Sequence, residues 1–573
     1  MHIGQKKLKF LRIASHIQRF FYQNWQFIIG ILFLNYLTVA WSLWQFRQIE
    51  VMLFYSFSLF LGIVTMTGLL QLLYNPLLKK ICKFGLMFSS AIFFSLESFA
   101  IYNYKALIGA GIINALLETN FQEAIEFVKM YIGLRGIASI LVAVIVAILL
   151  WRYCSVSRIK ISRRQQNRLI FVSLSLSILA TGRMFTTYEP LFERGSLSLP
   201  IQRVYASTQV AMKNIDAYQD LASRISSDIK LTENNSKIPQ IVFILGEATN
   251  RNHMHLYGYD LPNTPNLDAL KDKNEIAVFR DCISPHSTTV AVLRVLFSFC
   301  DYESDKEWYE YPNLIDVMQS AGYKTFWLSN QESSGIWGNV AQLYAKRSMV
   351  HAFTRMRDSQ EDIGSLDGEL FTLLDNARQE QAAKNFYVLH LMGGHSLYYS
   401  RFPYSFTKFS KDDITRDVSD EKKIVLAQYA NAMYYNDYIV SGIIDKFRDT
   451  EALVIYLPDH GETIYDDGSD FAGHVEENPN HYMLEVPMII WGSDKFKAKY
   501  PEKWARIQAA VNQPYMTDDM IHTVLDLADI KTTEFDPAKS LVNPAFDASR
   551  PRMNQGRNYD MEIRNGSTNG KQM

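Results

Sequence analysis

The chain is 573 residues long, with 58 Lys+Arg against 59 Asp+Glu, 48% hydrophobic residues and four cysteines. Its apolar content excludes a disordered protein, and four cysteines in such a length exclude a disulfide-stapled mini-protein. The near-zero net charge hides two different materials: residues 1–183 hold 19 Lys+Arg and 5 Asp+Glu, while the remainder holds 39 and 54. What the first third contains excludes an ordinary cytosolic enzyme. Five apolar runs lie there, Trp25 to Leu43, Val51 to Tyr74, Phe84 to Tyr102, Gly136 to Trp151 and a weaker one from Leu169 to Ala180. A bilayer core takes about 20 apolar residues per helix, so five membrane spans are expected, and the first reads as a retained anchor.

Loop charges orient them, because positive residues stay on the cytoplasmic side. Lys6, Lys7, Lys9, Arg12 and Arg19 precede the first run, Lys79, Lys80 and Lys83 follow the second, and six more lie from Arg152 to Arg168. The opposite loops hold only Arg47, Lys105, Lys129 and Arg135. An odd number of spans then sends the large C-terminal part to the outer side. Between the third and fourth runs, residues 112–129 have helical spacing with Glu118, Glu123 and Glu126 against Ile113, Leu116 and Leu117, which predicts an amphipathic helix on the outer membrane surface. Glu97, inside the third run, should face other helices.

Residues 184–236 read as a bridge with a helix from Arg203 to Ser226. From there to residue 546, β-rich runs (Ile241 to Leu245, Lys324 to Leu328, Phe386 to Leu389, Leu453 to Leu457, Val486 to Trp491) alternate with helical stretches near 267–270, 289–297, 366–377, 422–447 and 518–528. Strands separated by helices predict an α/β domain with a parallel-rich sheet covered by helices. The polar tail, 547–573, reads as loosely ordered.

Ligands bind at the carboxyl ends of strands in such sheets. The run IVFIL stops at Gly246-Glu247, and ALVIYL stops at Pro458-Asp459-His460-Gly461-Glu462. A polar cluster, Ser284 to Thr289, directly precedes a helix; hydroxyls at such a place commonly cap it. His390 and His395 follow a strand in HLMGGH, and His474 follows His460 by fourteen residues. Glu247, Asp459 and His460 offer two hard oxygens and an imidazole, a set that fits Zn²⁺ or Mn²⁺. A metal on a threonine oxygen would lower its pKa and aim it as a nucleophile, and the helix start behind it favours phosphate oxygens. Metal-assisted phosphoryl transfer is the chemistry these residues suit.

The ordered set GEATNRNHMHLYGYDLPNTPNLDAL, SPHSTTVAVLRVLFSF, AGYKTFWLSNQ, HLMGGH, YANAMYYNDYIV, PDHGETIYD and HVEENPNHYMLEVPMIIW resembles the bacterial inner-membrane phosphoethanolamine transferases of the alkaline phosphatase and sulfatase superfamily, nearest the lipopolysaccharide-core branch. The similarity runs through nearly the whole chain, including LLETNFQEA. It implies that Glu247, Thr289, Asp459 and His460 hold zinc and that Thr289, placed by alignment through VAVLRVLFSF with Thr288 as the fallback, carries the phosphoethanolamine. It further implies that His395 and His474 contact the transferred group, that Asn330 and Gln331 occupy a substrate-contacting position, and that Thr119 and Glu123 of the membrane-surface helix face the same cavity. A lysine found in some lipid A-modifying members has no counterpart in Gln331 to Gly335. Several relatives carry multiple disulfides; here only Cys282 and Cys300 lie outside the membrane part, and they could pair in an oxidising compartment.

The implied activity is transfer of phosphoethanolamine from phosphatidylethanolamine to lipopolysaccharide, at a core sugar or lipid A, or to a related glycan, by a bilayer-embedded enzyme with its catalytic domain in the periplasm. No nucleic-acid partner is expected. The alternatives are a glycerol-phosphate transferase of the lipoteichoic acid synthase type, with a similar metal set, and a non-catalytic membrane scaffold of the same fold. A sulfatase would need a Cys or Ser in a C-x-P-x-R-like frame, which neither CISPH nor SPHST supplies.

Overall fold

The computed structural model describes residues 2–45, 49–118, 163–187, 199–223, 229–332, 340–355 and 365–564, with three single positions between 145 and 152. Contacts divide the chain into two compact units: one holds the described residues up to Ile113 and from 163 to Val210, the other those of Asn114–Glu118 and from Ala211 onward.

The first unit is helical: α1 (His2–Gln45), α2 (Ile49–Gln71), α3 (Pro76–Tyr104), the start of α4 (Ala110–Glu118), α5 (Arg163–Thr187) and the first half of α6 (Pro200–Ser223). The Asn75 side chain accepts from the Leu77 and Leu78 N–H groups ahead of Pro76, which starts α3, as an N-cap should. Small residues let α2 and α5 approach closely: a Cβ on Gly68 would meet Ile170 at 2.6 Å, and Thr65 Oγ1 donates to Ser173 Oγ at 2.8 Å, the packing that membranes favour. Glu97 is fully buried, as its cost requires, and its partner is Arg203 on α6. Over Gln18–Ser42, Met52–Gln71 and Pro76–Tyr104 the described helices are long and apolar enough to cross a bilayer, while the apolar part of α5 is the shorter Asn167–Ala180. The structure thus carries three of the five expected spans by length and composition. The expected fourth run lies, but for two positions, outside the described residues, as do Thr119 and Glu123.

The second unit is built on seven strands, β1 (Gln240–Gly246), β2 (Ile276–Phe279), β3 (Lys324–Glu332), β4 (Val350–Arg355), β5 (Asn385–His390), β6 (Ala452–Pro458) and β7 (Met488–Gly492), in the order β2-β7-β6-β1-β5-β3-β4. From β6 to β4 every pair is parallel. The expected strand at Val486 to Trp491 is antiparallel to both neighbours. A parallel neighbour needs a crossover back to the other edge; here the connection stays at the carboxyl edge of β6 and re-enters the sheet from there. β2 and β4 were absent from the sequence expectation.

Every residue of β1, β5 and β6 is buried, because helices cover both faces. Ile241, Phe243 and Leu245 join one core with Val292, Leu293 and Leu296 of α7 (Thr289–Leu296). Val242 and Ile244 join the opposite core with Leu370 and Leu374 of α8 (Leu370–Gln379) and Ile439, Val440 and Ile443 of α9 (Asp420–Asp445).

One expectation is corrected and one open alternative is decided. The tail is ordered as far as Arg564: Arg550 is ion-paired with Asp518 and Asp519, Arg552 with Asp281 and Asp560, and the Tyr559 hydroxyl donates to Glu485. Cys282 and Cys300 are both free thiols, Cys282 buried 3.9 Å from Met488 Sδ and Cys300 near the Lys306 carbonyl at 3.8 Å; burial pushes the Cys282 thiol up to about 12.

Candidate active site

Register brings the chemistry to one edge. Gly246 pairs with Pro458, and Leu245 and Ser329 both pair with His390, so Glu247, Asp459-His460, Asn330-Gln331 and the HLMGGH loop all emerge together at the carboxyl ends. The loop lies against Glu247 through its glycines. A Cβ on Gly393, at φ +46°, would sit 2.6 Å from the Glu247 carbonyl oxygen, and one on Gly394 2.6 Å from that of Ala248. Ala248 itself is left-handed, at φ +46°, a local strain of the kind stored at functional sites.

Glu247, Asp459 and His460 are fully buried, and one donor atom from each lies within 4.8 Å of the others. Asp459 Oδ1 accepts the backbone N–H groups of His460 (2.7 Å) and Ala248 (3.2 Å), while Oδ2 has no hydrogen-bond partner and lies 3.5 Å from His460 Nε2. His460 Nδ1 is spent on the Gly461 carbonyl at 2.7 Å, which leaves Nε2 as the ligand nitrogen. Thr289, first residue of α7, places Oγ1 3.1 and 3.3 Å from the two Glu247 oxygens and 3.4 Å from His460 Nε2. Thr288 turns the other way, its hydroxyl donating to Glu476 at 3.4 Å.

Electrostatics make the same point. Burial, and then the neighbouring Glu247 carboxylate, push Asp459 up to about 7. Burial also opposes charging His460, but Asp459 and Glu247 outweigh it and raise it to about 10; the His460 contact holds Glu247 below its usual range despite burial. Two buried carboxylates crowd one imidazolium, and an orphaned oxygen points among them. That arrangement asks for a cation, and two carboxylates, one imidazole and one hydroxyl fit a metal ion.

The other expected residues divide. The His474 ring lies tilted against that of His460, centroids 4.1 Å apart, with Nδ1 against Glu462 Oε2 at 2.7 Å; Glu462 is fully buried and accepts the Tyr398 hydroxyl on Oε1 at 2.7 Å. The His395 ring is 6.5 Å from that of His474. Gln331 Nε2 donates to Glu247 Oε2 at 3.2 Å, so it belongs to the cluster. Asn330 does not: it is fully buried, donating to Asp367 at 2.7 Å and accepting from Thr354 and Ser365. His390 is likewise a core residue, packed edge-on against Trp327 and pushed down to about 4 by burial. Sequence reasoning missed Glu462, Tyr398 and Glu476. Glu462 had a signal, sitting two residues beyond His460 in PDHGE; Tyr398 had none.

The sulfatase family model matches residues 239–530. The chain belongs to the sulfatase family. A second model, described as phosphoethanolamine transferase EptA/EptB, matches residues 62–215 of this sulfatase-family chain. Phosphoethanolamine transferase EptC of Escherichia coli O18:K1:H7 is 27% identical over 491 residues, covering 81% of this chain and 82% of its own. Phosphoethanolamine transferase CptA of Salmonella typhimurium is 27% identical over 479 residues, with the same coverage of 81% and 82%. Among solved structures, the C-terminal periplasmic domain of E. coli EptC in complex with Zn matches at 27% identity and TM-score 0.54, covering 58% of this chain and 96% of that one. The integral-membrane lipooligosaccharide phosphoethanolamine transferase A of Neisseria meningitidis shares the fold at TM-score 0.64 and 19% identity, over 90% of this chain and 97% of that one. The resemblance read from the motifs is borne out by these matches, as is the fold class of a helical membrane part followed by a sulfatase-type α/β domain.

Proposed function

We propose that this sulfatase-family chain moves phosphoethanolamine from phosphatidylethanolamine to lipopolysaccharide, at a core sugar or lipid A, or to a related glycan, from the periplasmic face of the inner membrane. The observation that carries the reading is the Thr289 hydroxyl, held among Glu247 and His460 at a helix start. Glu247, Thr289, Asp459 and His460 would hold zinc, whose positive charge lowers the pKa of the attacking hydroxyl and stabilises negative charge at the phosphoryl group. Thr289 Oγ1 forms the new P–O bond as the bond to diacylglycerol breaks, leaving phosphoethanolamine on the threonine; an acceptor hydroxyl then attacks the same phosphorus and frees Thr289. Each alkoxide that leaves needs a proton, and each hydroxyl that attacks must lose one. With Nδ1 tied to Glu462, His474 offers Nε2 for that exchange, and His395 stands beside it. The first N–H groups of α7 offer hydrogen bonds to phosphoryl oxygens, and Gln331 steadies Glu247 through its hydrogen bond to Oε2.

The membrane part then has a purpose: the donor is a bilayer lipid, and tethering replaces a search through solution. The exposed apolar side chains Phe171, Val172, Ile178 and Leu179 of α5 suit a lipid-facing surface, which supports counting it among five spans. Residues 1–183 form the membrane domain in this reading, 184–236 the bridge and 237–546 the catalytic domain, with the ordered segment to Arg564 closing it. The test is the lipopolysaccharide of cells expressing the chain, analysed by mass spectrometry. Phosphoethanolamine added by the wild type and not by Thr289→Ala is expected; equal modification by both, or no phosphoethanolamine on lipopolysaccharide or any other envelope glycan, would refute the reading.

A further inference from the structure

Glu476 lies two residues beyond His474 and is buried at 7% exposure. Its carboxylate gathers the loop that leads into Thr289. Oε1 lies 2.6 Å from His286 Nδ1 and accepts Gln555 Nε2 at 2.9 Å; Oε2 accepts the Ser287 N–H at 2.9 Å, the Ser287 hydroxyl at 3.3 Å and the Thr288 hydroxyl at 3.4 Å. The Ser287 hydroxyl also donates to the Val475 carbonyl at 2.8 Å. Asn554 Nδ2 fastens the remaining loop residue, donating to the Pro285 carbonyl at 2.8 Å. Residues 285–288 are therefore held by the His474–Glu476 segment on one side and by residues 554–555 on the other.

Those last two residues belong to a hairpin pairing Met553 with Asn558 and Asn554 with Arg557. Its central residues, Gln555 at φ +46° and Gly556 at φ +75°, are both left-handed, as a two-residue type I′ turn requires. Arg552, gripping Asp281 and Asp560, fixes the base of the hairpin, and Arg557 donates to the Pro479 carbonyl at 3.1 Å.

Thr288 shows what the arrangement does. It occupies the N-cap of α7 with extended backbone, yet its side chain makes no cap hydrogen bond. A threonine there ordinarily accepts from the second or third N–H of the helix. Glu476 draws the hydroxyl away instead. The adjoining Thr289 hydroxyl is thereby the one left to the Glu247 and His460 cluster, and the helix start carries no side-chain cap of its own.

Resting on the transfer reading above, we propose that Glu476, seated by the C-terminal hairpin, is the positioning residue for Thr289: it fixes loop 285–288 so that Oγ1 of Thr289 stands at the reacting centre and Oγ1 of Thr288 does not. A small misplacement of a reacting atom can cost about 100-fold in rate, with substrate binding untouched.

The test is single-turnover formation of the enzyme adduct by the full chain in micelles containing head-group-labelled phosphatidylethanolamine, with bound zinc and melting temperature measured alongside. Glu476→Gln is expected to slow adduct formation by about 100-fold and Gln555→Ala by about tenfold, with full zinc and a donor concentration for half-maximal rate within about threefold of the wild type. In Glu476→Ala, part of the adduct should map to Thr288. A simple structural role would lower the melting temperature and zinc content and move neither the rate at saturation nor the modified residue. Glu476→Gln and Gln555→Ala both within about threefold of the wild-type rate would overturn the proposal. If Glu476→Gln loses its zinc or its fold, Gln555→Ala decides alone: a wild-type rate overturns the proposal, and a slowed rate with full zinc upholds it. Absence of any adduct in the wild type would instead refute the transfer reading, and the positioning claim with it.

Discussion

Replacing Asp459 with asparagine should have opposite effects on the metal-free and metal-loaded protein. The amide oxygen can keep the two backbone N–H donors that Oδ1 accepts, so the local backbone has no reason to move. What changes is the charge at Oδ2, buried and without a hydrogen bond. Removing one partner from a buried charge pair costs about 3–5 kcal/mol, so zinc should bind about a hundred- to several-thousand-fold more weakly. Without metal the sign reverses. Asp459 titrates near 7 in the folded chain against an ordinary 3.8. A carboxyl raised in this way contributes nothing below about 4, where both states are protonated; it destabilises the fold increasingly between about 4 and 7, and the penalty levels off above that at no more than about 4 kcal/mol. Metal-free Asp459→Asn should therefore melt higher than the metal-free wild type at pH 8, and the difference should vanish toward pH 4. Calorimetry of the full chain with chelator, and again with added zinc, gives both numbers. Equal melting of the two metal-free proteins at pH 8, together with equal stabilisation by zinc, would refute this account of the cluster.

Glu462→Gln should leave zinc content near wild type while slowing turnover by about 10- to 100-fold, the scale of a misdirected proton-transferring imidazole; steady-state transfer and metal analysis check it. Alkaline phosphatase fused after Gly182 should be active and after Lys83 inactive, and equal activity at both would overturn the five-span arrangement. Reducing agent should not shift the melting temperature, because Cys282 and Cys300 are unpaired; denatured protein kept from reductant should react with a thiol reagent at both positions. Arg203→Met should lower the melting temperature through the orphaned Glu97, by about 3–5 kcal/mol of stability, and Glu97→Gln in the same chain should restore part of it.

The strands that carry the site were legible because they are apolar throughout: IVFIL and ALVIYL are short and rich in β-branched residues, as strands buried on both faces are, and the polar residues that end them then lie at a sheet edge. The pairing of Gly246 with Pro458 then makes neighbours of Glu247 and Asp459. Orientation was not legible. Val486 to Trp491 reads like its neighbours, and only the path of residues 459–487 along one edge makes β7 antiparallel. β2 escaped notice because its apolar run is only four residues long, Ile276–Phe279, and β4 because Val350–Arg355 mixes polar with apolar residues. Asn330 and Gln331 are adjacent, but strand alternation sends one into a buried network and the other to the cluster, a choice that depends on register. Glu476 was invisible for another reason: its partners His286 and Gln555 lie 190 and 79 residues away in sequence, and nothing local marks a buried carboxylate that serves distant groups. The order of residues 550–563 was hidden likewise, since Asn, Gly and Arg describe a loose tail until the carboxylates they meet are known.

The central claim is that Thr289 carries the phosphoryl group, and peptide mapping tests it most directly. The full chain, incubated with phosphatidylethanolamine and no acceptor, then digested and analysed by mass spectrometry, should show phosphoethanolamine on Thr289, and none in the Thr289→Ala protein. Phosphoethanolamine on Thr288 in the wild type, or an adduct that survives Thr289→Ala, would contradict the account.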